Sequence, residues 1–162
     1  MISQILALLK NIITRPPRKD VAMSSKRQAT NYIIVHCSDT PTSMDIGAAE
    51  IREWHIQERG WSDIGYHYVI RRNGEVEHGR DEDVVGSHVK GFNSNSIGIC
   101  MVGGRYGNNN FTVPQFTSLT NLVKNLVKKY HNVEVVGHRD LAVGKECPSF
   151  NAIKWYQTIK EQ

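Results

Sequence analysis

Tyr32-Ile33-Ile34-Val35-His36 is a run of β-branched and aromatic residues that ends on a histidine, and Ser38-Asp39-Thr40-Pro41 follows with the composition of a loop. Such a run predicts a buried strand that delivers His36 at its C-terminal end. Val133-Glu134-Val135-Val136 repeats the arrangement and ends at Gly137-His138. Ser96-Ile97-Gly98-Ile99-Cys100-Met101-Val102 reads as a central strand, with a loop over residues 103–110 behind it. Tyr66 to Arg72 and Glu75 to His78 flank Asn73-Gly74, a pair that readily takes positive φ at both turn positions, so a two-stranded hairpin is expected there.

Helical spacing lies between these strands. Ile51, Trp54, His55 and Glu58 make one stripe, stopped by Gly60. Thr112 and Gln115 form a capping-box pattern around Pro114, and Leu119, Leu122, Val123, Leu126 and Val127 then line one apolar, core-packing face. Phe150 to Ile159 reads as a closing helix. Strands interleaved with helices, together with one hairpin, predict an α/β fold: a central mixed β-sheet flanked by helices.

The chain of 162 residues is 40% hydrophobic and 22% charged, which suits one domain with a single core. Its formal charge of +4 is unevenly placed. Residues 1–30 hold six of the 20 basic side chains and one of the 16 acidic ones, so the remainder carries 14 basic and 15 acidic groups. The expected organisation is a basic N-terminal extension over 1–30 and a single folded domain over 31–162. Ile2, Ile5, Leu6, Leu9, Ile12 and Ile13 give the extension a short amphipathic helix, ended by Arg15-Pro16-Pro17-Arg18, and Met23 is an alternative start. Six basic residues without interleaved aromatics do not make a specific nucleic-acid site. The apolar run Gln4 to Leu9 is too short to span a bilayer and lacks the features of a signal peptide. Three cysteines are too sparse for a disulfide framework and fit a reducing compartment.

Chemistry can be assembled from His36, His138 and Cys147, three metal-ligating side chains at two strand ends and a nearby loop. Three protein ligands leave a position for water, as a catalytic zinc requires. Spacing does not single them out, because seven His and three Cys combine in many ways. Cys37 alternates away from His36 and reads as a small hydrophobe, as does Cys100; His55 lies on an apolar stripe and reads as structural. Asp81-Glu82-Asp83 reads as a solvated turn, and no second acid at suitable spacing supports glycosidase chemistry.

Seven segments in order raise the specificity: Ile34-Val35-His36-Cys37-Ser38, Ile51-Arg52-Glu53-Trp54-His55, residues 60–67 (Gly-Trp-Ser-Asp-Ile-Gly-Tyr-His), Gly79-Arg80-Asp81, Gly86-Ser87-His88-Val89-Lys90-Gly91, Asn95-Ser96-Ile97-Gly98 and Lys145-Glu146-Cys147-Pro148-Ser149-Phe150. Across residues 31–157 the chain resembles the zinc-dependent N-acetylmuramoyl-L-alanine amidases of the phage lysozyme and peptidoglycan recognition protein family. The resemblance implies one Zn2+ held by His36, His138 and Cys147, with Tyr66 beside the attacking water, Lys145 near the substrate carbonyl and His88 lining the cleft against the muropeptide. His67, on the opposite strand face from Tyr66 by period two, is left out of the site.

Bacterial peptidoglycan is the partner the resemblance implies, cut at the amide between N-acetylmuramic acid and L-alanine by a monomeric phage endolysin. That enzyme would be made in the cytoplasm of the infected cell and reach the wall on lysis. Some members bind muropeptides without cutting them, and some phage members inhibit their phage's RNA polymerase, so a muropeptide-binding module or a phage or host RNA polymerase partner is the alternative. Two departures stand out: Leu141-Ala142-Val143-Gly144 makes the His138 to Cys147 interval slightly longer than the family pattern, and the basic extension has no catalytic counterpart in it.

Overall fold

The computed structural model describes residues 25–161; the amphipathic helix expected over residues 2–13 and the alternative start at Met23 lie outside them. Five strands, β1 (Tyr32–Cys37), β2 (Tyr68–Ile70), β3 (Val76–His78), β4 (Ser96–Met101) and β5 (Glu134–Gly137), form one sheet in the order β3-β2-β4-β1-β5. β4 is central, as its unbroken apolar sequence predicts. β1 runs parallel to both β4 and β5, β2 is parallel to β4, and only β2 and β3 are antiparallel. The helices are α1 (Ala48–Gln57), α2 (Val113–Tyr130), α3 (His138–Leu141) and α4 (Ala152–Lys160).

Alternation along the strands sorts their side chains between two layers. Ile33, Val35, Ile97, Ile99 and Met101 pack with Leu119, Val123 and Leu126 of α2 and with Phe150 and Ala152 at the start of α4. Burial of α2's apolar stripe is what makes it a helix here, each fully buried Leu or Val contributing about 1.5–3 kcal/mol. Its N-terminus is closed by the expected capping box: Thr112 Oγ1 accepts from Gln115 N–H at 3.2 Å, and Gln115 Oε1 accepts from Thr112 N–H at 3.0 Å. Gln115 is also fully buried, its Nε2 donating to the carbonyls of Ile70 and Val102, so the cap ties α2 to the ends of β2 and β4. On the opposite face, α1 contributes Ile51 to a cluster with Ile64, Val69, Cys100 and Val102. Ile34, Val89 and Val136 form a separate cluster on this face. His36 falls on that same face by alternation with Ile34.

The hairpin turn differs from its expectation. Gly74 has φ +88° while Asn73 stays at negative φ, Gly74 N–H donates to Arg71 O, and Arg71 N–H donates to Glu75 O. That is a three-residue loop with a turn at 72–73 followed by a left-handed glycine, not a turn with two positive φ values. β2 also begins at Tyr68, leaving Tyr66 and His67 ahead of it.

The acidic run forms the expected turn with Asp81 and Asp83 exposed, but Glu82 is only partly solvated. Its carboxylate accepts from Tyr68 Oη, Tyr130 Oη and Lys129 Nζ, and the backbone on either side receives the chain that precedes β1. Lys26 pairs antiparallel with Val84, Arg27 N–H donates to Asp83 O, and the Arg27 guanidinium donates to Glu82 O. Burial opposes ionisation of Glu82, but the three donors outweigh it and hold the pKa at about 2. A carboxyl depressed from an unfolded value of about 4.3 contributes stability that is complete above that value and lost as pH falls through about 2. Thermal midpoints measured from pH 5 to pH 2 are therefore expected to fall more steeply for the wild type than for Glu82→Gln; parallel curves would remove this role.

Candidate active site

The parallel register of β1 and β5 pairs Val35 with Gly137, so the next residues, His36 and His138, lie side by side. Their ring centroids are 4.8 Å apart. His36 is 1% exposed, and His138 is the first residue of α3, just past the strand end where it was expected. Cys147 arrives from the loop after α3, whose return is held by Arg139 N–H donating to Cys147 O at 2.7 Å. Its Sγ lies 3.7 Å from His36 Nδ1. One ligand atom from each of the three residues falls within 4.8 Å of the other two, and these three form the one metal-ligating cluster found among the described residues.

The donor set fits a metal ion. Burial, then the neighbouring His88 and His138, push His36 well below the usual imidazole range; burial and Lys145 push His138 in the same direction. Both rings are thus neutral at pH 7 and offer lone pairs, the form in which imidazole ligates. Two imidazoles and a thiol suit a borderline-soft transition ion better than calcium or magnesium. Cys37 leaves the His36 face as alternation predicts, yet it is not merely core: its N–H donates to Cys147 Sγ at 3.2 Å, and its thiol lies 3.6 Å from Ser149 Oγ.

Tyr66 stands beside His36, ring centroids 5.1 Å apart, and is backed by His55 at 5.5 Å. His55 is structural: Nδ1 accepts from Gly65 N–H at 3.0 Å, and the ring lies 4.7 Å from that of Trp61. His67 is buried with both nitrogens engaged, Nδ1 accepting from Gly98 N–H and Nε2 against Val84 O. His88 lies behind His36, its Nδ1 2.9 Å from His36 Nε2 and its Nε2 3.2 Å from Ser96 Oγ.

A cleft of about 420 Å³ opens over Cys147 and His138, with Tyr66 and Lys145 in its lining. Arg59, Asp39, Tyr106 and Glu146 also line it, and none of them was singled out from sequence. Arg59 sits against the Trp61 ring at 5.2 Å, and its place directly before Gly60-Trp61 was the only available signal. Asp39 and Tyr106 hold positive φ of 54° and 56°, costly for residues other than glycine, and Asp39 Oδ1 accepts from Tyr106 N–H at 3.1 Å. Tyr106 is 80% exposed with the Arg105 guanidinium 4.7 Å from its ring centroid, an aromatic held out at the rim. The cleft thus combines a partly buried cluster able to hold a metal ion, a phenol, a cation and open space above them.

A family model described as N-acetylmuramoyl-L-alanine amidase matches residues 26–150. The endolysin of Klebsiella phage KP32 is 50% identical over 137 residues, covering 82% of this chain and 89% of that one. Among solved structures, the N-acetylmuramoyl-L-alanine amidase LysC from Clostridium intestinale URNW superposes with a TM-score of 0.71 at 35% identity, covering 85% of this chain and 87% of its own. Wild-type Drosophila PGRP-LB gives a TM-score of 0.70 at 26% identity, over 83% and 84% of the two chains. The chain belongs to the N-acetylmuramoyl-L-alanine amidase family. It is a peptidoglycan amidase with the mixed sheet and flanking helices of that fold.

Elemental analysis of the purified chain is expected to find about one transition-metal ion per protein, lost in Cys147→Ser. Full metal retention in that variant would remove Cys147 from the ligand set.

Proposed function

We propose that the protein is a zinc-dependent phage endolysin in which His36, His138 and Cys147 hold the metal while Tyr66 and Lys145 act on the substrate amide. The observation that carries this reading is the convergence of two neutral imidazoles and a thiol beneath a cleft that Tyr66 and Lys145 also line. Zinc in a three-ligand site supplies Lewis acidity, lowering the pKa of water toward neutrality and polarising a carbonyl oxygen.

The protein's own groups do the rest. Lys145 is exposed in the cleft and brings a positive charge to the side of His138, where it can stabilise negative charge developing on the amide oxygen. Burial, then the nearby Cys100 and Cys147, push the Tyr66 phenol well above its ordinary value, so it keeps its proton at neutral pH. A neutral phenol can orient the attacking water and donate to an oxygen or to the departing nitrogen. The phage context is supported by the similarity to the KP32 endolysin over most of both chains. In that context the enzyme accumulates in the cytoplasm of the infected bacterium and meets the wall when the membrane is breached. No helix among the described residues is long and apolar enough to cross a membrane.

The test is digestion of purified peptidoglycan by the zinc-loaded chain, with the products read by mass spectrometry. Stem peptides with a free N-terminal L-alanine and uncut glycan strands are expected; new reducing sugar ends, or binding without release, would overturn the reading. Tyr66→Phe and Lys145→Ala are each expected to lower kcat/KM by about 10²–10³-fold while zinc content stays at the wild-type level. A loss of zinc in either would place that residue with the ligands.

A further inference from the structure

The polar side chains behind His36 form a line whose hydrogen atoms can be assigned from its far end. Ser96 Oγ lies 2.7 Å from the carbonyl oxygen of Phe92, which can only accept, so the single hydroxyl hydrogen of Ser96 is spent there. Ser96 Oγ is then left as an acceptor for His88 Nε2 at 3.2 Å, which places the His88 hydrogen on Nε2. His88 Nδ1 becomes a lone pair and must accept from His36 Nε2 at 2.9 Å. The His36 hydrogen is thereby on Nε2, and Nδ1, the nitrogen 3.7 Å from Cys147 Sγ, is bare. Among the described residues no carboxylate bonds to either ring, and the contact between the two ring nitrogens takes a single hydrogen, so each ring carries one hydrogen and the assignment closes.

The backbone is shaped to hold this line. Ser96 is fully buried at the start of β4, out of reach of solvent that could replace it. His88 occupies a slot opened by two missing side chains: a Cβ on Gly98 would lie 2.7 Å from His88 Cγ, and one on Gly86 2.7 Å from His88 Cδ2. Asn93 Oδ1 accepts from the N–H groups of both His88 and Val89, pinning the segment that carries the ring.

We infer that Ser96 and His88 are positioning residues, a one-directional hydrogen-bond relay from the Phe92 carbonyl that locks His36 in the tautomer presenting Nδ1 to the metal. This rests on the metal reading of the His36, His138 and Cys147 cluster. Both ring nitrogens of His88 are engaged within the protein, as this role requires. Partners of this kind behind a ligating histidine typically alter metal affinity by about 10–100-fold.

Two measurements on the full chain test it. In metal-free, ¹⁵N-histidine-labelled wild type, the nitrogen shifts and couplings are expected to report Nε2–H for both His36 and His88; an Nδ1–H tautomer at His36 would overturn the relay. Zinc affinity by chelator competition is expected to fall about 10–100-fold in Ser96→Ala and to recover in Ser96→Thr, which keeps the hydroxyl. Wild-type affinity in Ser96→Ala with an unchanged melting temperature would also overturn it. If the wild type binds no zinc, the metal reading fails, and the tautomer measurement still decides the hydrogen-bond line. If Ser96→Ala does not fold, the tautomers of the wild type carry the decision alone.

Discussion

The parallel pairing of β1 with β5 is the constraint on which the site depends. With Val35 opposite Gly137, two chain segments about a hundred residues apart end at the same level and hand over His36 and His138 as neighbours. A shift of one residue in either strand would turn its histidine away or move it along the sheet, because side chains alternate with period two. The register is in turn held by burial. Ile33, Val35 and Val135 must face α2 and α4 to stay in the core, and that leaves His36 no choice but the other face.

That other face carries polar groups inside a protein interior, which is costly unless each is hydrogen-bonded. The fold meets the cost with local pairings. His67 bonds to Gly98 and Val84, His55 to Gly65, and His88 to His36 and Ser96. The apolar packing is accordingly split into separate clusters, around Ile51 and Val69 and around Ile34 and Val136. The two candidate ligand histidines are thus carried by a strand, at His36, and by the helix turn directly behind its neighbour, at His138, while Cys147 and Lys145 come from a loop tied back by Arg139. Rings fixed by packing and hydrogen bonds would be preorganised for the metal of the proposed site.

The cleft above is built differently. Its rim is made of connecting segments with positive φ at Asp39, Tyr106 and Gly144, and it exposes Tyr106 and the charges of Arg59, Lys145 and Glu146. Loops on a rigid scaffold are where a shared fold varies its substrate contacts. The division between an ordered floor and a loop-built rim suits an enzyme that keeps one bond chemistry while accommodating an extended polymer.

Local patterns were enough for the elements themselves. β-branched runs, the Thr112–Gln115 cap and the α2 stripe each depend on neighbours within a few residues, so the mixed sheet and the order of its strands with α1, α2 and α4 could be read directly, while the one-turn α3 was not. The three proposed ligand positions were recognisable only through ordered family motifs, since composition and spacing leave many combinations of His and Cys open. Tertiary structure decided what depends on distant atoms. Glu82, within an acidic run, became a partly buried acceptor because Tyr68, Lys129 and Tyr130 converge on it. Asn73 kept negative φ because the turn sits one residue earlier, at 72–73, with Gly74 as the left-handed residue behind it. His88 turned inward because glycines 86 and 98 left a space that no reading of its own segment reveals. A sequence pattern encodes which face a residue takes on its own element; which side chains meet across the sheet, and which nitrogen of a histidine is left bare, follows only when all the elements are packed.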